Sequence, residues 1–209
     1  MSRLRGVYWL WPLMLLVGGG SAHALSLNCL MPPASAHLSK AVKIGQKNPM
    51  WCWAASTEMA MKAVNASHAV DQCKLAEAYV GVTCCPGLPQ NPKCTRGNNS
   101  PEYMNNGFTA EAKDPGPLSW DELTQQIACK KSPVPFIYPV GGGTHMVVIV
   151  GYKKTGLISK ELEIYDPRGA EIYAGGVGTG QYTPRSDYIP YYTYSQSKKK
   201  NYYNIRFGP

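Results

Sequence analysis

An odd number of cysteines leaves at least one thiol over when the rest pair, and this chain has seven. The thiol best placed for chemistry is Cys52. It falls in the first turn of a run over residues 49–64, rich in Ala and Met, whose spacing predicts a helix that Pro49 opens. A cysteine nucleophile works as the thiolate, and a helix N-terminus favours that charge. The Cys52 N–H there is also suited to an oxyanion hole. The plainer reading is a small buried core residue. A base must come from elsewhere in the chain. His145 opens an apolar, β-prone run over 145–152 directly after Gly141-Gly142-Gly143, glycines that would let a substrate backbone approach closely. His37, in a Pro- and Ser-rich entry segment, and His68, in a polar turn, are read as surface residues. A histidine opening a buried strand needs a partner. Asp166, at the end of the next β-prone run, would reach it if the two strands pair antiparallel. Asp166-Pro167 also reads simply as a turn. Together, Cys52, His145 and Asp166 would make a thiolate nucleophile with an oriented base.

These groups must be positioned by helices that come first and strands that come after. A second helix is expected over 71–80 with Asp71 as its cap, and a third from Ser119, where Ser119 and Glu122 have capping-box spacing. Lys130 and Lys131 are expected in the last turn of that third helix. Residues 81–116 read as one long loop, dense in Pro, Gly, Asn and Cys and tied down by Cys84, Cys85 and Cys94. Strands are expected over 134–138, 145–152, 161–165, 188–194 and 202–207, the last with Tyr203, Ile205 and Phe207 on one face. Helices followed by strands argue for an α+β fold. The tyrosines between Tyr182 and Tyr203 fit a half-buried sheet.

Residues 1–24 have the make-up of a cleaved leader. Arg3 and Arg5 precede an apolar run over 7–17, and Ala22-His23-Ala24 is a small-x-small cleavage site. The run is shorter than the roughly 18 residues a membrane span needs. Removing the leader would leave one domain over 25–209, a helical half over about 45–131 and a sheet half over about 132–209, and would lower the net charge from +8 to +6. Secretion or a periplasmic location follows as an expectation. In such a compartment the six other cysteines could form three bridges, with Cys84 and Cys85 bonded to different partners. No cysteine pair has zinc-knuckle spacing, so no metal or cofactor is expected. Nothing in the charge pattern singles out nucleic acid, and Lys198-Lys199-Lys200 reads as a solvated turn.

Gln46 with Trp51-Cys52-Trp53-Ala54-Ala55 resembles the active-site region of papain-like cysteine peptidases. That family has a glutamine six residues before the nucleophile and Cys-Trp-Ala at the start of its central helix. The run from His145 to Tyr152, His-Met-Val-Val-Ile-Val-Gly-Tyr, is similar to the family's histidine strand. The order Gln, Cys, His, then Asn or Asp also agrees. Where many members have asparagine this chain has Asp166, as in short bacterial members such as staphopain-like peptidases and plant-pathogen effectors. The usual tryptophan after it is replaced by Pro167-Arg168-Gly169. The segment before Gln46 is too short for a large inhibitory propeptide.

The resemblance implies a papain-like fold, with the nucleophile helix packed on a C-terminal antiparallel sheet. It implies a cysteine peptidase acting on protein or peptide substrates, and the leader implies that it is exported. Cys52 would attack, His145 would shuttle the proton, Asp166 would orient it, and Gln46 with the Cys52 N–H would hold the oxyanion. Trp53, Gly142, Gly143 and Thr144 are the expected substrate contacts. A cognate inhibitor or immunity protein is a further kind of partner. The same site would also serve deamidation, cross-linking or acyl transfer. A third alternative is a catalytically dead, disulfide-rich binding module, against which the intact Cys, His, Asp and Gln set argues.

Overall fold

A computed structural model describes residues 29, 31–85, 91–156, 158–168, 182, 184–196 and 200–208. The leader expected over 1–24 lies outside them, as do Lys198 and Lys199. Three longer helices are present: α1 (Cys52–Asn65), α2 (Gln72–Val80) and α3 (Trp120–Ala128). The strands are β1 (Ser35–His37), β2 (Phe108–Lys113), β3 (Val134–Val140), β4 (Gly143–Thr155), β5 (Ser159–Asp166), β6 (Arg185–Pro190) and β7 (Asn201–Phe207). They form one antiparallel sheet in the order β2-β7-β3-β4-β5-β6, with β1 added on β4. The fold is α+β, as expected from the order of helices and strands.

Helix α1 is rich in alanine and methionine, residues that lose little entropy in a helix. It is buried along most of its length, with Trp53, Ala54, Ala55, Met59, Ala60 and Met61 in the core. The helix starts at Cys52, so Pro49 lies outside it in a turn rather than in its first turn. Helix α2 is capped by Asp71, whose carboxylate accepts from Cys73 N and Lys74 N, and is stopped by Gly81 at φ 71°. Helix α3 has the full Ser119–Glu122 capping box and ends at Ala128, leaving Lys130 and Lys131 beyond it.

Three expectations of local structure are corrected. The segment 81–116 is not one loop: it contains two 3-10 turns and strand β2, which pairs with β7 from Phe108↔Phe207 to Lys113↔Asn201. The strand expected over 188–194 ends at Pro190, and the chain turns into a short helix, α4 (Tyr191–Ser195). Tyr194 holds that turn, because its buried hydroxyl donates to Asn201 Oδ1 and accepts from Leu118 N. In β7 the alternation breaks at Asn204, which has φ 51°. Tyr202 and Ile205 are therefore the buried pair, while Tyr203 is half-buried and Phe207 exposed. Asn204 is held there by Gln126 Nε2 and Lys130 Nζ, both donating to its Oδ1.

The hairpin β3–β4 closes Val140 onto Gly143. Its two turn residues, Gly141 and Gly142, have φ 45° and 87°, as a two-residue hairpin turn with positive φ at both positions demands. In β4 a register shift falls between Ile149 and Gly151. A Cβ on Gly151 would stand 3.0 Å from Ala36 O and closer still to the Glu163 carboxylate, so β1 can cross only over glycine.

Candidate active site

Cys52 is the first residue of α1. Its N-cap, Trp51, offers no side-chain cap to the free N–H groups of the helix, and no acidic residue lies in the first turn. The free N–H groups and the positive end of the helix dipole therefore act on the sulfur. One turn on, the buried Ser56 hydroxyl donates to Met146 O at 2.9 Å, fastening α1 to β4. Met146 follows His145, so this bond sets the helix against the strand where thiol and imidazole meet.

β4 and β5 are antiparallel, with Val148 opposite Tyr165. Continuing that register sets Asp166 across from Val147, so Asp166 and His145 share a face as diagonal neighbours. His145 Nε2 lies 2.8 Å from Asp166 Oδ1, and both side chains are buried. The same oxygen accepts the Arg168 N–H at 2.8 Å. The Tyr138 ring meets the imidazole edge-on, with centroids 5.6 Å apart. With Nε2 on the carboxylate, Nδ1 is buried without an aligned hydrogen-bond partner, and the Cys52 thiol is the other group whose charge acts on the imidazole. Loose geometry of this kind is common before substrate binds.

The electrostatics favour an ion pair. Burial pushes the Cys52 thiol up, but His145 beside it and the N–H groups of Met146 and Trp53 outweigh burial, and the thiol is held below its ordinary value. Burial pushes His145 down; the Asp166 carboxylate and the Cys52 sulfur overcome it and raise the imidazole to about 9. Each group favours the charged form of the other, thiolate with imidazolium.

A cleft of about 450 Å³ opens beside Cys52. Pro49, Met50, Trp53 and the segment Gly97, Asn98, Asn99 supply part of its wall; Ile137, Val140, Gly141, Gly143, Thr144, Met146 and Arg168 supply the rest. The Gly97–Asn99 segment is held by what precedes it. Cys84 is bonded to Cys94 and Cys73 to Cys85. Trp51 Nε1 donates to Cys94 O at 2.7 Å, and Trp53 Nε1 to Arg96 O at 3.2 Å. Both tryptophans flanking Cys52 thus carry the cleft wall.

Of the expected substrate contacts, Gly143 and Thr144 line the cleft, and Trp53 does so while almost wholly buried. Thr144 Oγ1 donates to Asn99 Oδ1 at 2.8 Å, joining the two walls. Gly142 belongs to the hairpin turn and is not among the lining residues; Gly141 is. Gln46 is buried behind the helix start. Its Nε2 donates to Asn48 O and Pro49 O at 2.8 and 2.9 Å, and its Oε1 has no partner. Exchanging its oxygen and nitrogen would set that oxygen against two carbonyls, so this orientation is the favoured one. His37 and His68 are exposed. Sequence reasoning missed Ser56 as the fastener, Asn99 as a wall residue and Arg168 as a cleft residue. Only Ser56 had a signal, its four-residue step from Cys52.

The family model described as papain-like cysteine protease AvrRpt2 matches residues 36–186. Xylellain, a cysteine protease from Xylella fastidiosa, has a similar fold at 14% sequence identity and a TM-score of 0.51, over 87% of this chain and 88% of that one. The bromelain protease from Ananas comosus aligns at 13% identity and a TM-score of 0.45, over 82% of this chain and 98% of that one. No curated protein matches the chain. With the family match spanning most of the sequence, and thiol, imidazole and carboxylate brought together at the start of a buried helix, the chain belongs to the papain-like cysteine proteases.

Proposed function

We propose that this cysteine peptidase is exported and hydrolyses peptide bonds with Cys52 as nucleophile, His145 as acid and base, and Asp166 as the group that orients the imidazole. The observation that carries the reading is the buried His145, with one ring nitrogen 2.8 Å from Asp166 and its imidazole raised by both that carboxylate and the Cys52 sulfur. Cys52 Sγ attacks the carbonyl carbon as thiolate. The developing oxyanion meets the Cys52 N–H and the Gln46 amide, which exchanges one of its two carbonyl partners for it. Imidazolium His145 protonates the leaving amine, and the thioester remains. Water, deprotonated by the now neutral imidazole, then releases the acid and restores the thiolate. Two disulfides, Cys73–Cys85 and Cys84–Cys94, support an oxidising compartment and with it the leader over 1–24.

The test is hydrolysis of an unfolded protein by the chain from residue 25 onward. Wild type should produce fragments, and Cys52→Ala should produce none. Equal fragments from both would refute the assignment. Ammonia release from glutamine peptides without chain cleavage would move the reading to deamidation.

A further inference from the structure

We propose that Arg168 is a cationic seat for a carboxylate carried by the leaving half of the substrate, a proposal that rests on the peptidase reading of Cys52 and His145. Arg168 is half-buried in the wall of the cleft that holds Cys52. It is the one charged side chain among the described residues lining that cleft; the others are apolar, glycine, asparagine, threonine or the nucleophile itself. Among the described residues it makes no ion pair, whereas Lys62, Lys74, Lys113, Lys153 and Arg185 all do.

Its position is fixed from two sides. Its own N–H donates to Asp166 Oδ1 at 2.8 Å, and the preceding Pro167 O accepts from Gln46 N at 3.0 Å. Arg168 therefore emerges two residues beyond the carboxylate that orients His145. The imidazole must reach the leaving amine to protonate it, so the residues after the scissile bond lie on the His145 side of the cleft. Arg168, bonded through its N–H to the same Asp166 oxygen that holds His145, stands on that side. A guanidinium forks onto a carboxylate through two parallel hydrogen bonds, and partial burial strengthens such a pair. The carboxylate has two sources: an Asp or Glu side chain just after the scissile bond, or the free C-terminus of a short leaving half.

Four peptides with one shared acyl half separate these sources. Two carry Glu or Gln immediately after the scissile bond in a long, amidated leaving half. Two have a short leaving half with a free or amidated terminus. In wild type, kcat/KM should favour the carboxylate in at least one pair by about tenfold, and Arg168→Gln should bring that ratio toward one. The pair that discriminates names the source. Ratios near one in both wild-type pairs overturn the proposal.

A second measurement needs no turnover: the rate of Cys52 alkylation by iodoacetate relative to iodoacetamide. Arg168→Gln should lower that ratio several-fold, and Arg168→Lys should retain it. An unchanged ratio in Arg168→Gln overturns the seat. A lowered ratio alongside uncut peptides supports the seat while refuting the peptidase reading, so the two failures are distinguishable.

Discussion

Ser56 Oγ donates to Met146 O at 2.9 Å, one helical turn from Cys52 and one residue from His145. The bond is buried and joins the two elements that no loop connects locally. Removing it as Ser56→Ala should cost about 1 kcal/mol of stability. It should also loosen the approach of Cys52 to His145. The expected result is a modest fall in melting temperature with roughly a tenfold loss of kcat/KM. Loss of stability with full activity would show that the thiol and imidazole are held by other contacts.

Activity should follow the ion pair in its pH dependence. The thiol is held below its ordinary value, so the acid limb of kcat/KM should lie below that of a free cysteine. The imidazole is raised to about 9, so activity should fall as pH rises through that value and the proton leaves His145. Asp166→Asn removes the charge that helps raise the imidazole and should move the alkaline limb to lower pH. A pH–rate profile of both proteins checks this, and an unmoved alkaline limb would deny Asp166 its part.

Gln46 donates both amide hydrogens to carbonyls at the helix start, and its Oε1 stands unpaired. If the amide turns to the oxyanion during catalysis, Gln46→Ala should lower kcat by about a hundredfold. It should leave the pH profile of Cys52 alkylation in place. An unchanged kcat with a lower melting temperature would confine Gln46 to supporting the turn.

Burial together with the influence of Cys29 pushes the Cys129 thiol up to about 11. The sequence leads to three bridges from six cysteines, and the structure has two. In an oxidising compartment, exchange with a disulfide would close the third. Peptide mapping without reductant should recover a Cys29–Cys129 link in protein produced in an oxidising compartment. Alkylation of both thiols in native protein would rule it out.

Much of the site was legible because its chemistry is local. A cysteine at a helix start, a histidine opening an apolar strand and an aspartate closing the next one need only one antiparallel pairing to meet, and β4 with β5 provides it. The capping box at Ser119 and the cap at Asp71 were equally readable, because the groups that satisfy each other are three residues apart or fewer. What escaped depends on distant partners. Strand β2 has a weak pattern and exists through its pairing with β7. The turn at Tyr191 follows from one hydroxyl bridging Asn201 and Leu118. Asn99 and Arg168 become cleft residues only once the disulfide-tied segment and the end of β5 are brought around Cys52. The glycine triplet, read as room for substrate, is largely accounted for by the hairpin turn at Gly141 and Gly142.

The central claim is that His145 holds Cys52 as a thiolate. The most direct measurement is the rate of Cys52 alkylation by iodoacetamide as a function of pH, followed by mass spectrometry in wild type and His145→Ala. Wild type should react readily well below the roughly 8.5 at which a free thiol ionises, and His145→Ala should shift the profile upward. Coincident profiles in the two proteins, or a Cys52 found in a disulfide, would contradict the claim.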